Sequence, residues 1–270
     1  RVATEVAIHR RRHPAEDGLS AAQLAARAGR EVVRQRLDDG APVGVEALVR
    51  WQHPERGLLA PGEFIPVAEQ SDAIVAIGEW VFEEACRQSV AWTAERPDRP
   101  PVPISVNLSA RQVLQPDVVD RLAAILERTG ADPRLMRAEI TESALMEDAA
   151  TTVATLERMK EMGLELMLDD FGTGYSSLAY VNRFPIDVLK IDRSFVAALD
   201  RGEDAQAIVE AIISMARGLR VDVIAEGVED AEQAGILRAL GCRRVQGFLY
   251  ARPMPPQDVA PLLDGVLTPA

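Results

Sequence analysis

Seven short apolar runs alternate with amphipathic helical patterns from Val43 onward, and polar residues gather at the ends of those runs. These observations predict an α/β fold: a TIM-like (β/α)8 barrel with an atypical or missing first strand. Seven alternations favour the barrel over an open doubly wound sheet, which shares the pattern. The length, 270 residues, suits one barrel, and a 47% hydrophobic composition can fill its core.

The expected strands are Val43–Trp51, Val102–Ser109, Leu135–Ser143, Leu164–Phe171, Val188–Phe195, Arg220–Val228 and Arg243–Tyr250. Each is rich in Val, Ile and Leu, as strands buried on both faces are. Helical patterns lie between them at 71–96, 117–129, 148–162, 204–218, 230–240 and 256–266. Asp117, Asp148 and Asp230 read as N-caps, and Gly130, Gly163 and Gly241 follow helix ends. Residues 1–42 stand apart as an atypical N-terminal segment, with the barrel domain at 43–270. Within them, Thr4–His9 reads as a short strand. Ser20 and Gln23 form a capping-box pattern opening an Ala-rich helix to about Leu37, striped by Leu24, Ala28, Val33 and Leu37. Residues 30–37 are therefore expected to be helical, although strand Val43–Trp51 needs a neighbour.

Charge narrows the partners. The net charge is −12, while residues 1–44 hold eight Arg against six acids. The remainder is thus strongly acidic, which excludes a duplex nucleic-acid binder. No apolar run is long enough for a membrane span. Cys86 and Cys242 lack metal-type spacing, read as free buried thiols, and suit the cytoplasm. A membrane anchor elsewhere in a longer parent protein stays compatible with that location.

The chemistry-bearing residues sit where a barrel uses them. Glu46, Asn107, Glu139, Glu142, Asp169, Asp170, Lys190, Asp192, Glu226, Glu229 and Gln246 fall on or just past the apolar runs. Catalytic residues of such barrels lie at the strand carboxyl ends. A ring of buried carboxylates requires cations. Oxygen ligands suit Mg²⁺ or Mn²⁺, and only three His are present, so zinc is disfavoured. Asp169-Asp170 is suited to flanking two metals that activate a water, and equally to capping a turn. Lys190 reads as a functional cation or as an ion-pair partner of a neighbouring carboxylate.

The ordered segments Glu46-Ala47-Leu48, Asn107-Leu108-Ser109, Glu139-Ile140-Thr141-Glu142 and Asp169-Asp170-Phe171-Gly172-Thr173-Gly174-Tyr175-Ser176-Ser177 carry a resemblance. Lys190-Ile191-Asp192, Ala225-Glu226-Gly227-Val228-Glu229 and Gln246-Gly247-Phe248 extend it. Over about residues 43–260 the chain resembles EAL-family cyclic di-GMP phosphodiesterase domains. The resemblance implies hydrolysis of cyclic di-GMP to pGpG with two Mg²⁺ or Mn²⁺ ions. It implies metal ligation by Glu46, Asn107, Glu139, Asp169 and Asp170, and catalytic roles for Glu226, Lys190 and Asp170. Arg50 and Gln246 would bind substrate, and Glu142 would brace the Asp170–Ser177 loop. It further implies a homodimer near that loop, with Leu178, Tyr180, Val181 and Phe184 just downstream, and an upstream sensor domain in the parent protein. One departure stands out: the family's first strand carries a Gln-Pro pair, and residues 30–42 hold none.

Overall fold

A computed structural model describes residues 26–146, 148–172 and 183–269. Among these, nine strands form one sheet: β1 Ala26–Arg36, β2 Pro42–His53, β3 Gly57–Leu59, β4 Ile104–Leu108, β5 Met136–Thr141, β6 Glu165–Phe171, β7 Val188–Ile191, β8 Asp222–Glu226 and β9 Arg244–Gln246. Strands β2 and β4–β9 run parallel in sequence order. Strand β1 pairs antiparallel with both β2 and β9, which closes an eight-stranded barrel; β3 is an extra strand on the outer edge of β2.

The closing strand corrects the helical expectation for residues 30–37. Val32↔Glu46, Val33↔Val45 and Arg34↔Gly44 pair across β1 and β2, and Gln35↔Val245 and Arg36↔Arg244 across β1 and β9. Two open ladders would otherwise present unpaired N–H and C=O groups. Filling both outweighs a helix preference worth only tenths of a kcal/mol per residue. Thr4–His9 and the Ser20 capping box lie outside the described residues.

Strand alternation then sorts the side chains. Val45, Val106, Ala138, Ile140, Leu168, Leu189 and Val245 point outward into the main core, against the surrounding helices. Met167, Val188 and Ile224 form a small cluster inside the barrel, a filled layer beneath the polar mouth. Helix 118–129 shows the sequence logic: Val118, Val119, Leu122, Ile125 and Leu126 make its buried stripe, and Gly130 ends it at φ 70°. Asp148 and Asp230 cap their helices, accepting from Thr151 N and Gln233 N. Asp117 does not; its carboxylate instead accepts from Arg121 Nε at 2.8 Å. Strand β7 stops at Ile191 rather than Phe195, because Asp192 caps a short helix, Arg193–Val196, through Ser194 N. Both cysteines are free and buried, as expected, and burial pushes their thiols up to about 12 and about 11.

Candidate active site

Inward-facing positions of β2 and β4–β9 bring Glu46, Asn107, Glu139, Asp169, Lys190, Glu226 and Gln246 together at one mouth of the barrel. Lys190 is 1% exposed and anchors the group. Its Nζ contacts Glu139 and lies 3.0 Å from Asp169 Oδ1, 3.7 Å from Glu46 Oε2 and 2.7 Å from Glu226 Oε1. The Glu226 contact is one of charge alone, because that oxygen accepts no aligned hydrogen bond. Asn107 Nδ2 donates to Glu46 Oε1 at 2.9 Å, and Gln246 Nε2 to Glu46 Oε2 at 2.7 Å.

A residue that the sequence reading passed over occupies the middle. Arg34, on the closing strand β1, is 0% exposed. Its Nη2 pairs with Glu139 and with Glu46 Oε2 at 3.2 Å. Its Nε donates to Gln246 Oε1 at 2.7 Å and its Nη1 to Ser105 Oγ at 2.7 Å. On the β1–β2 ladder Arg34 stands opposite Gly44, two residues before Glu46, so Arg34 and Glu46 face the same side. Reading the segment as a helix hid it.

Electrostatics divides the carboxyls. Burial works upward on Glu139, Asp169 and Glu226, but at Glu139 Arg34 and Lys190 outweigh it and hold the pKa down at about 2. At Asp169 burial prevails over Lys190, helped by Glu139 and Glu46, and the pKa rises to about 6. At Glu226 burial likewise prevails, to about 8. Burial disfavours the Lys190 charge, yet Glu139, Glu226, Glu46 and Asp169 hold its pKa well above the ordinary value. The mouth therefore pairs a firmly ionised carboxylate with a protonatable one, the division that acid–base work uses.

Asp170 stands at the rim with φ 54°, a left-handed conformation uncommon outside glycine. The β6–β7 ladder shifts register between Leu168 and Phe171, and this break turns Asp170 outward. Next to it, Gly172 N donates to Glu142 Oε2 at 3.0 Å. At φ 96°, with a Cβ position 2.8 Å from the Phe195 ring, any side chain at residue 172 would be strained. Arg50 lies four residues beyond Glu46, where its Nη1 donates to the Val49 carbonyl at 2.8 Å. The segment 173–182 lies outside the described residues, and with it Leu178, Tyr180 and Val181. Phe184, grouped with them in sequence, is buried in the main core. Beside the mouth runs a cleft of about 1130 Å³, lined by Glu46, Asn107, Gln115, Asp170 and Arg193 among others.

The model of the EAL domain family matches residues 32–253. The chain belongs to the EAL domain family. The match begins within β1, at residue 32, and the segment it takes in there holds no Gln-Pro pair. This EAL domain is 45% identical over 221 residues to the bifunctional diguanylate cyclase/cyclic di-GMP phosphodiesterase MucR of Pseudomonas aeruginosa, covering 82% of this chain and 32% of that protein. It is 42% identical over 219 residues to the cyclic di-GMP phosphodiesterase NbdA of the same species, covering 81% of this chain and 28% of that one. It thus spans about a third or less of these relatives. Among solved structures, the MucR phosphodiesterase in complex with cyclic di-GMP superposes with a TM-score of 0.81 at 42% identity, covering 87% of this chain and 94% of that one. The EAL enzyme Bd1971, in its cAMP- and cyclic di-GMP-bound form, superposes at 0.83 with 32% identity, covering 88% and 64%.

The donor set of this EAL domain is carboxylate and amide oxygen, which fits a hard divalent cation. Its arrangement adds a condition. Among the described residues no three acids gather so as to hold an ion; Glu46 and Glu139 face Arg34, and Glu139 and Asp169 face Lys190.

Proposed function

We propose that this EAL domain is a metal-dependent phosphodiesterase that hydrolyses cyclic di-GMP to linear pGpG and so lowers a bacterial second messenger. The observation that carries this reading is the convergence of Glu46, Asn107, Glu139, Asp169, Lys190, Glu226 and Gln246 on one barrel mouth beside an open cleft. Glu46, Asn107, Glu139, Asp169 and Asp170 would hold two Mg²⁺ or Mn²⁺ ions. Such ions, when bound, supply an activated water and offset phosphodiester charge. Lys190 would contact the attacking water or the phosphate, and Glu226 would act as acid–base partner. Gln246 would orient ligand or water. Arg50 would pair with a substrate phosphate, and Glu142 would hold the loop from Asp170 onward in place through Gly172. The cleft gives a ligand of dinucleotide size room beside the mouth.

The domain would work in the cytoplasm, joined to an upstream sensor, as a homodimer contacting near the loop after Asp170. A second reading, a cyclic di-GMP receptor without turnover, draws support from Arg34, whose guanidinium engages two of the proposed metal ligands. The test is incubation of the purified chain with cyclic di-GMP and Mg²⁺ or Mn²⁺, followed by chromatography. Linear pGpG supports the enzyme reading; bound, uncleaved cyclic di-GMP supports the receptor.

A further inference from the structure

We infer that Arg34 is a built-in cation that competes with divalent metal for Glu46 and Glu139. The inference rests on the metal reading above and concerns how strongly this chain holds the ion. Arg34 reaches the carboxylates from one layer below them, since it lies opposite Gly44 on β2 and Glu46 is two residues further along. The stem of Arg34 passes over Gly44 at ordinary contact distance, since a Cβ there would stand 3.9 Å from Arg34 Cδ. The guanidinium is then held on every side: by Gln246 through Nε, Ser105 and the Met167 sulfur through Nη1, and Glu46 and Glu139 through Nη2. A buried guanidinium needs such partners, because an unpaired charge in the interior is costly.

Charge counting gives the consequence. Glu46, Glu139, Asp169 and Glu226 bring four carboxyls into the mouth, and Lys190 and Arg34 two cations. Removal of Arg34 would take one positive charge away from the two oxygen groups that an ion must reach. An ion approaching Glu46 or Glu139 meets a fixed positive charge already bonded to both, and binding requires that bond to be broken or shared. Lys190 cannot be credited with the same effect on Glu46, since it lies further off, at 3.7 Å. Arg34 therefore sets metal affinity below what the same oxygen ligands would give without it.

The test is calorimetric titration of MnCl₂ into chelator-stripped wild type, Arg34→Met, Arg34→Gln and Arg34→Lys, with no cyclic di-GMP present. The two neutral variants are expected to bind Mn²⁺ at least about tenfold tighter than wild type, and the Lys variant to stay closer to it. Equal or weaker binding by neutral variants that circular dichroism shows folded overturns the inference and leaves the metal reading standing. Mn²⁺ binding by none of the four proteins overturns both. A second measurement uses the wild type alone: the Arg34 ¹⁵Nε resonance is expected to shift as Mg²⁺ is added. A resonance unmoved at saturating Mg²⁺ overturns the competition.

Discussion

Replacing Lys190 with Met removes the ammonium shared by four carboxyls while keeping side-chain length and apolar stem. Lys190 Nζ contacts Glu139 and lies within 3.0 Å of Asp169 and 2.7 Å of Glu226. Arg34 then remains as the one cation among those contacts. Removing one partner of a buried ion pair leaves uncompensated charge and costs about 3–5 kcal/mol. For a chain of this size each kcal/mol moves Tm by about 2–4 °C, so the variant should melt roughly 6–20 °C lower at pH 7 in chelator. The remaining carboxylates should accept a divalent ion as substitute, so Mn²⁺ should recover more Tm in the variant than in wild type. Differential scanning calorimetry with and without Mn²⁺ reads both effects. A Tm within 1–2 °C of wild type in chelator would refute the idea that Lys190 holds these charges together.

Three further outcomes follow from the same geometry. In chelator, stability should rise as pH falls from about 8 toward 5. Folded Glu226 and Asp169 bind protons at about 8 and about 6, whereas the unfolded chain releases them nearer 4.5 and 3.8; urea titrations that show stability falling over that window would contradict this. Gly172→Ala should destabilise by about 1–3 kcal/mol and lower turnover, because it combines a left-handed backbone with a clash against Phe195; an unchanged urea midpoint would remove the constraint on that residue. The proposed homodimer should appear in light scattering at micromolar concentration, and a monomer with full activity would exclude it from the mechanism.

The parts of the fold that were legible share a cause. Strands β4–β9 are apolar runs covered on one side by helices, whose ends are marked by caps such as Asp148 and Asp230 and by glycines such as Gly130. Composition therefore marks them. Strand β1 carries no such mark. Arg30–Arg36 is rich in good helix formers, and its state is set by ladders from β2 and β9, some of them 200 residues away. The hairpin to Gly57–Leu59 and the helix Pro61–Ala68 were also passed over, although Pro61 opens that helix and Glu63 accepts from Ala60 N at 3.0 Å. For the site, the strand-end acids announced themselves by their place on the apolar runs, Glu142 among them, which accepts from Gly172 N at 3.0 Å. Arg34 did not, because a side chain's direction is readable only once its segment has the right period.

The reaction itself tests the central claim most directly. Wild-type chain and Asp169→Asn, each shown folded by circular dichroism, are incubated with cyclic di-GMP and Mn²⁺, and product is followed by chromatography. The account predicts pGpG from the wild type and none, or a trace, from the variant, since the lost charge weakens the ion that activates water. Equal turnover by Asp169→Asn, or no turnover by a wild type that binds both Mn²⁺ and cyclic di-GMP, would contradict it.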